Sequence, residues 1–348
     1  MTTDKRCNIA SRSRAYSRQE TSFDKAYDPM GRNKHQNLLT ANVNGTLNDL
    51  NAQKPILSCV VDTHPKFLMQ SWIWLVSAHL AGAFKDCNVC IHHVGEPPQV
   101  LKDAAARFGA RLVIIEPFGE GAARYCNKLQ SHAPILETSA KGAILTDVDL
   151  FFFSSPADCF DSDFLRAKIV DHPNPPQDLL AQLGEALELS GLEFNGTPTF
   201  CAKTHTHMLN CNGGIYICPI EKLRKIAPIW RNFSTRCLTR EDILSKFLFH
   251  SDQIGFMMSM IATEQPFKPI RPEWNFPTHL KPEAYEPIDI EDIKIIHYHN
   301  RLSEDGRLIP VGVSKIDKFI YQANNSLAEF EDLPEFKVIQ KQYIESLT

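Results

Sequence analysis

The acidic pair Asp147-Val148-Asp149 follows Ala143-Ile144-Leu145-Thr146 and precedes four apolar residues, Leu150 to Phe153. In an extended segment, positions i and i+2 share a face, so both carboxylates can grip one divalent cation. Asp161-Ser162-Asp163 repeats the pattern in polar loop sequence, so spacing alone does not decide. The first copy differs in its setting, because two acids inside a buried-looking run are costly unless something neutralises them. Capping of a helix or pairing with Lys or Arg is the plainer alternative. His297-Tyr298-His299 closes the apolar run Ile293 to Ile296, and its two imidazoles are expected on one face. Imidazole added to two carboxylates suits Mn²⁺ better than Mg²⁺, while a hydrogen-bonded, half-buried histidine is the plainer reading. His205 and His207, in a polar stretch, read as surface residues.

Asn212-Gly213-Gly214 precedes Ile215-Tyr216-Ile217. Two glycines at the mouth of a strand admit a ligand close to the backbone, and Asn offers both a donor and an acceptor; an ordinary turn is the alternative. Ser251-Asp252-Gln253 opens an apolar helical run, with Ser251 expected at the N-cap, Asp252 in the first turn and Gln253 presented into any cleft at that helix end. Glycine-rich phosphate loops are absent, so an anion must be met by metal and by isolated cations such as Lys128.

The elements that must position these residues alternate. Ile56–Val61 reads as a strand, Lys66–Phe84 as an amphipathic helix, Asn88–Val94 as a strand, Pro98–Phe108 as a helix closed by Gly109, and Arg111–Ile115 as a strand. This spacing predicts βαβ units and a parallel sheet covered on both faces, with ligands beyond the carboxyl ends of its strands. Ala122–Gln130 reads as a helix and Asn212–Cys218 as a strand. Glu221–Phe233 and Thr239–Thr263 read as helices, Ile293–His299 as the last strand and Ser314–Leu347 as a helical cover. Between them, 158–210 reads as an insertion between core strands, where a second substrate could be selected, holding one helix (Gln177–Leu189, stopped by Gly191) and a polar loop.

The chain has 348 residues, and its 37 Lys and Arg against 41 Asp and Glu give a net charge of −4. No global basic field exists to hold nucleic acid or an anionic membrane. Residues 1–53 lack apolar periodicity and carry an excess of Lys and Arg, which predicts a disordered basic tail; Met30 is an alternative start. No leader is recognisable, and the most apolar stretch, Phe67–Phe84, is broken by Gln70, Ser71, Ser77 and His79 at helical spacing, which argues against a transmembrane segment. Ten scattered cysteines fit a reducing, cytoplasmic setting. Cys87-Asn88-Val89-Cys90 has metal or redox spacing without a second pair, so packing is the reading taken.

The ordered series Asp62, Arg124-Tyr125-x-Asn127-Lys128-Leu129, Leu145-Thr146-Asp147-Val148-Asp149, Asn212-Gly213-Gly214, Asp252-Gln253, Trp274-Asn275 and Ile295-Ile296-His297-Tyr298 resembles the GT-A glycosyltransferases. The pattern is most similar to the retaining glycosyltransferase family 8, the glycogenin and bacterial galactosyltransferase type. The resemblance implies a GT-A, Rossmann-like α/β fold with a mostly parallel sheet: a single domain over 54–300, and a helical extension over 301–348. It implies that Asp147, Asp149 and His297 hold Mn²⁺ (or Mg²⁺) on the diphosphate of a nucleotide sugar. Asp62, Lys128, Asp147, Asn212 and Gly214 would then bind the nucleotide sugar, and Gln253 and Asp252 would act at the anomeric carbon. The family motif continues His-x-x-Gly-x-x-Lys, its Lys on the diphosphate. Asn300 and Ser303 stand at those positions here, leaving Arg301 and Arg307 as candidate replacements. Ile254 and Gly255 stand where a carboxylate often follows the Asp-Gln pair.

The implied reaction is metal-dependent transfer of a sugar, from a UDP-sugar by expectation, to a hydroxyl of a glycan, lipid-linked or protein acceptor with retention. A base-type Asp252 in line would invert instead. The alternatives are a non-catalytic scaffold on the same fold and a sugar nucleotidyltransferase, which would be expected to show a glycine-rich phosphate loop near the first strand.

Overall fold

The structure, a computed structural model, describes residues 50–348 except 190–191, 193–195, 202–203 and 287–290. The tail expected over 1–53 therefore lies almost wholly outside the described residues, as does Gly191. In chain order the strands are β1 (Ile56–Val61), β2 (Asn88–Val94), β3 (Arg111–Ile115), β4 (Gly142–Thr146), β5 (Leu150–Phe152) and β6 (Arg166–Ile169). They continue as β7 (Thr197–Pro198), β8 (His205–Thr206), β9 (Cys211–Pro219), β10 (Phe276–Pro277) and β11 (Ile295–His297). The helices are α1 (Pro65–Leu80), α2 (Ala83–Asp86), α3 (Gln99–Phe108), α4 (His132–Leu136) and α5 (Gln177–Ala186). After them come α6 (Ile220–Leu238), α7 (Glu241–Leu244), α8 (Ser251–Thr263), α9 (Ser314–Ala328) and α10 (Pro334–Glu345).

Six strands form the main sheet in the order β3-β2-β1-β4-β9-β6. The first four are parallel, and β9 runs antiparallel to both β4 and β6. Side chains alternate between two cores, as the two-residue period of a strand requires. Leu57, Ile144, Ile215 and Ile217 face one core with Trp72, Leu101, Ile316 and Phe336 from α1, α3, α9 and α10. Ile56, Ala143, Leu145 and Tyr216 face the other, with Ile135, Trp230 and Phe256 from α4, α6 and α8. Near-continuous apolar strands are what such two-sided burial demands. A second sheet, β10-β11-β5, stands at the carboxyl end of β4.

Several sequence expectations shift locally. The long first helix stops at Leu80, because Gly82 takes a left-handed φ of 74° before α2. Residues Gly121–Ser131 form tight 3₁₀ turns rather than an α-helix. α5 ends at Ala186, short of Leu189. The stretch 158–210 contributes β6 to the main sheet, so it is not wholly an insertion. Lys168 in the middle of that strand hides its apolar character. His207 is buried, not a surface residue, and its Nδ1 accepts from the Leu209 amide. Cys87 and Cys90 are free and buried, and burial pushes each thiol up to about 12, as expected of packing residues.

Candidate functional site

Strand order reverses direction between β1 and β4, and the crevice outside that switch is where open α/β sheets bind ligands. A cleft of about 630 Å³ lies there, lined from β1 and α1 by Val60, Lys66 and Gln70 and from the β4–β5 turn by Asp147 and Asp149. Asn212, Asp252, Gln253 and His297 complete its floor. Beside it a cavity of about 600 Å³ shares His172 and His279 as common wall.

The acids do not sit in an extended strand as expected. β4 ends at Thr146, and Asp147 to Asp149 form the bend by which the chain leaves the main sheet for β5 in the second. The bend is tied at each step. Thr146 Oγ1 donates to the Ser58 carbonyl (3.1 Å) and accepts from Trp74 Nε1 (3.0 Å). The Asp147 amide donates to the Gly214 carbonyl (3.0 Å), and the Tyr298 amide donates to the Asp149 carbonyl (3.1 Å). Val148 turns into the core, leaving both carboxylates toward the cleft. His297 Nε2 lies 3.3 Å from Asp149 Oδ1 and 3.8 Å from Asp147 Oδ2, and one ligand atom from each of the three residues falls within 4.8 Å of the others. Two carboxylates and an imidazole so grouped are a donor set for a divalent metal.

Hydrogen bonds fix which nitrogen of His297 faces the two acids. Lys168 Nζ lies 2.5 Å from Asp171 Oδ1, and Asn212 Nδ2 donates to Asp171 Oδ2 (3.2 Å). The Asn212 Oδ1 accepts from the Gly214 amide (2.8 Å) and from Asn275 Nδ2 (3.0 Å). Asn275 Oδ1 is then left to His297 Nδ1 at 2.9 Å. An ionised carboxylate only accepts, so every amide in the series is oriented by Asp171, and His297 Nδ1–H donates. Nε2 is thereby the ring nitrogen left facing Asp147 and Asp149 and available to a metal, an arrangement that metal-binding histidines commonly show. Gly214 is required at this point. A Cβ there would stand 2.6 Å from His297 Nδ1 and 2.9 Å from Asn212 Oδ1, while at Gly213 it would press on Gln253 at 3.1 Å.

The predicted residues are not all alike in placement. Asp147, Asp149, Asn212, Gly213, Asp252, Gln253 and His297 are brought together around one cleft. Gly214 backs His297. Lys128 is buried behind the acids, its Nζ 2.5 Å from Asp147 Oδ1 and bonded to the Gly213 carbonyl. Burial works against its charge, yet Asp147 and Asp252 together keep its pKa above the ordinary value. Asp62 does not line the cleft; its Oδ1 accepts from the His64 amide (2.9 Å) in the turn before α1. Ser251 is not the N-cap of α8. His250 occupies that place, and Ser251 Oγ donates to the Leu248 carbonyl (2.6 Å). Burial raises the Asp252 carboxyl to about 6, with Lys128 opposing, and its backbone carbonyl accepts from Trp230 Nε1 (2.6 Å).

Sequence reasoning missed the Lys168–Asp171 pair, although a lysine inside a strand-like run needs a buried acid. It also missed His279, whose ring lies tilted against His299 with centroids 3.8 Å apart, while His299 stacks on His297 at 3.7 Å. His299 holds a left-handed φ of 55°, an unusual conformation for histidine at a cleft wall.

Comparison with solved structures settles the architecture. The galactosyltransferase LgtC, in complex with donor and acceptor sugar analogues, matches with a TM-score of 0.51 at 11% identity, over 82% of this chain and 99% of that one. The bifunctional glycosyltransferase WbbM matches with a TM-score of 0.50 at 12% identity, over 86% of this chain and 53% of its own. The chain has the GT-A fold. Mouse xyloside xylosyltransferase 1 also matches, at 15% identity with a TM-score of 0.46, over 71% of this chain and 98% of that one. No family model and no curated protein sequence matches the chain. Within this GT-A fold the Asp147, Asp149 and His297 cluster occupies the switch-point crevice.

Proposed function

We propose that the protein is a metal-dependent glycosyltransferase that moves a sugar from a nucleoside diphosphate sugar, UDP-linked in the favoured reading, to a hydroxyl acceptor with retention of configuration. The observation that carries this is the convergence of Asp147, Asp149 and His297 in the crevice of a GT-A sheet, with the His297 tautomer set for ligation. The donor set fits Mn²⁺ better than Mg²⁺. A bound divalent ion would supply charge stabilisation for the departing diphosphate. The protein's own groups do the rest. Lys128 offsets part of the carboxylate charge, so the acids are not left mutually repelling. Asn212 and the bare backbone of Gly213 let the sugar lie close to β9, and the Gln253 amide, seated against Gly213, faces the charge that develops at the anomeric carbon. The adjoining cavity past His172 and His279 gives the acceptor room.

Titration of UDP and of GDP, each with Mn²⁺ and with EDTA, tests this on the wild type and on Asp149→Ala. Metal-dependent binding of one nucleotide, lost at least 100-fold in the variant, is the expected result and names the base. Failure of both nucleotides to bind under any metal condition would overturn the transferase reading and favour a non-catalytic role.

A further inference from the structure

A diphosphate leaving group brings negative charge into a cleft whose walls already carry Asp147, Asp149, Asp171 and Asp252. Two carboxylates on one ion leave little of its charge to spare, so a free cation beside the ion is worth a great deal. The two arginines that follow the final strand do not supply it. Arg301 Nη2 donates to the Pro310 carbonyl (2.7 Å), and Arg307 donates to the Asn324 carbonyl and pairs with Glu331. Neither lines the cleft. Lys128 and Lys168 are spent on Asp147 and Asp171.

Among the described residues lining the cleft, one Lys or Arg remains, Lys66 in the first turn of α1. Its ammonium donates to Asn300 Oδ1, and Asn300 also lines the cleft. A neutral amide steers the lysine without cancelling its charge, unlike the carboxylates that hold Lys128, Lys168 and Arg307. Asn300 itself follows the strained His299, whose carbonyl accepts from Gln70 Nε2 (3.1 Å) on α1, so the anchor and the helix are tied together.

We infer that Lys66 is the diphosphate-binding cation of this protein, delivered from the β1–α1 end of the crevice and aimed by Asn300. The inference rests on the glycosyltransferase reading above. It is tested by titrating Mn²⁺ with UDP, UMP, GDP, GMP and inorganic pyrophosphate into wild type, Lys66→Gln and Lys66→Arg. Expected is a loss of ten-fold or more in Lys66→Gln for whichever diphosphate the wild type binds, and of pyrophosphate alike. The matching monophosphate should change by less than three-fold, and Lys66→Arg should stay within three-fold of wild type throughout. Equal diphosphate affinity in Lys66→Gln and wild type would overturn the role of Lys66 and leave the transferase reading standing. An equal loss for mono- and diphosphate would also overturn it, since that pattern marks a structural disturbance. A wild type that binds none of the five would overturn both.

Discussion

At the scale of single residues, the candidate metal site depends on what orients Asp147, Asp149 and His297 as much as on those three side chains themselves. Asn275 touches neither nucleotide nor metal in the reading proposed, yet it is the acceptor that keeps the hydrogen on His297 Nδ1 and the lone pair on Nε2. Its substitution should therefore be felt by the ion. Asn275→Ala is expected to weaken Mn²⁺ binding by about 10- to 100-fold, the usual cost of losing such an outer partner. Direct titration of the ion checks this, with a thermal melt to show that the fold survives. Unchanged affinity would mean that the imidazole is held by its ring neighbours alone.

At the scale of elements, two buried histidines make the sheet and its helices sensitive to acid. Burial holds His92 on β2 at about 3, against a hydrogen bond with the Cys59 backbone that favours the charged ring. Burial, with Arg231 and His92 nearby, does the same to His132 on α4. Both pKa values lie below the ordinary 6.5, so between pH 6.5 and about 3 the unfolded chain binds protons that the folded one refuses. Stability from these groups is complete above pH 6.5 and falls as pH drops, each contributing a slope of about 1.4 kcal/mol per pH unit within the window. Urea unfolding at pH 7 and pH 5 should show the loss, and His132→Gln should flatten the slope. The same elements show what was legible beforehand. The βαβ order, the covered sheet and the acid–histidine cluster could be read because apolar runs and paired acids announce themselves locally. β6 and the Lys168–Asp171 pair could not, because a charge is recognisable as buried only once its partner across the fold is known. The bend at Asp147 to Asp149 escaped because a strand and a strand-to-turn junction share one apolar pattern.

At the scale of the whole molecule, residues 301–348 finish a layer of the domain rather than trail from it. α10 brings Phe336 against Trp72 of α1, with ring centroids 5.8 Å apart, and Glu335 against Arg107 of α3. Phe336→Ala should cost about 3–5 kcal/mol in chemical denaturation, as large core truncations do, while leaving nucleotide affinity within two-fold. A larger loss of affinity would show that this layer shapes the cleft. None of the described helices is long and apolar enough to cross a membrane. The bend between β4 and β5 carries one more consequence. Its two carboxylates straddle the place where the chain passes from one sheet to another, and His297 reaches them from the second. An ion gripped there is a rivet through both sheets, so ligation would be read out mechanically as well as chemically. Adding a chelator to metal-loaded protein should lower the melting temperature. It should quicken amide exchange at Leu150–Phe152 and Ile295–His297, while Arg111–Ile115, at the far edge of the main sheet, keeps its pace.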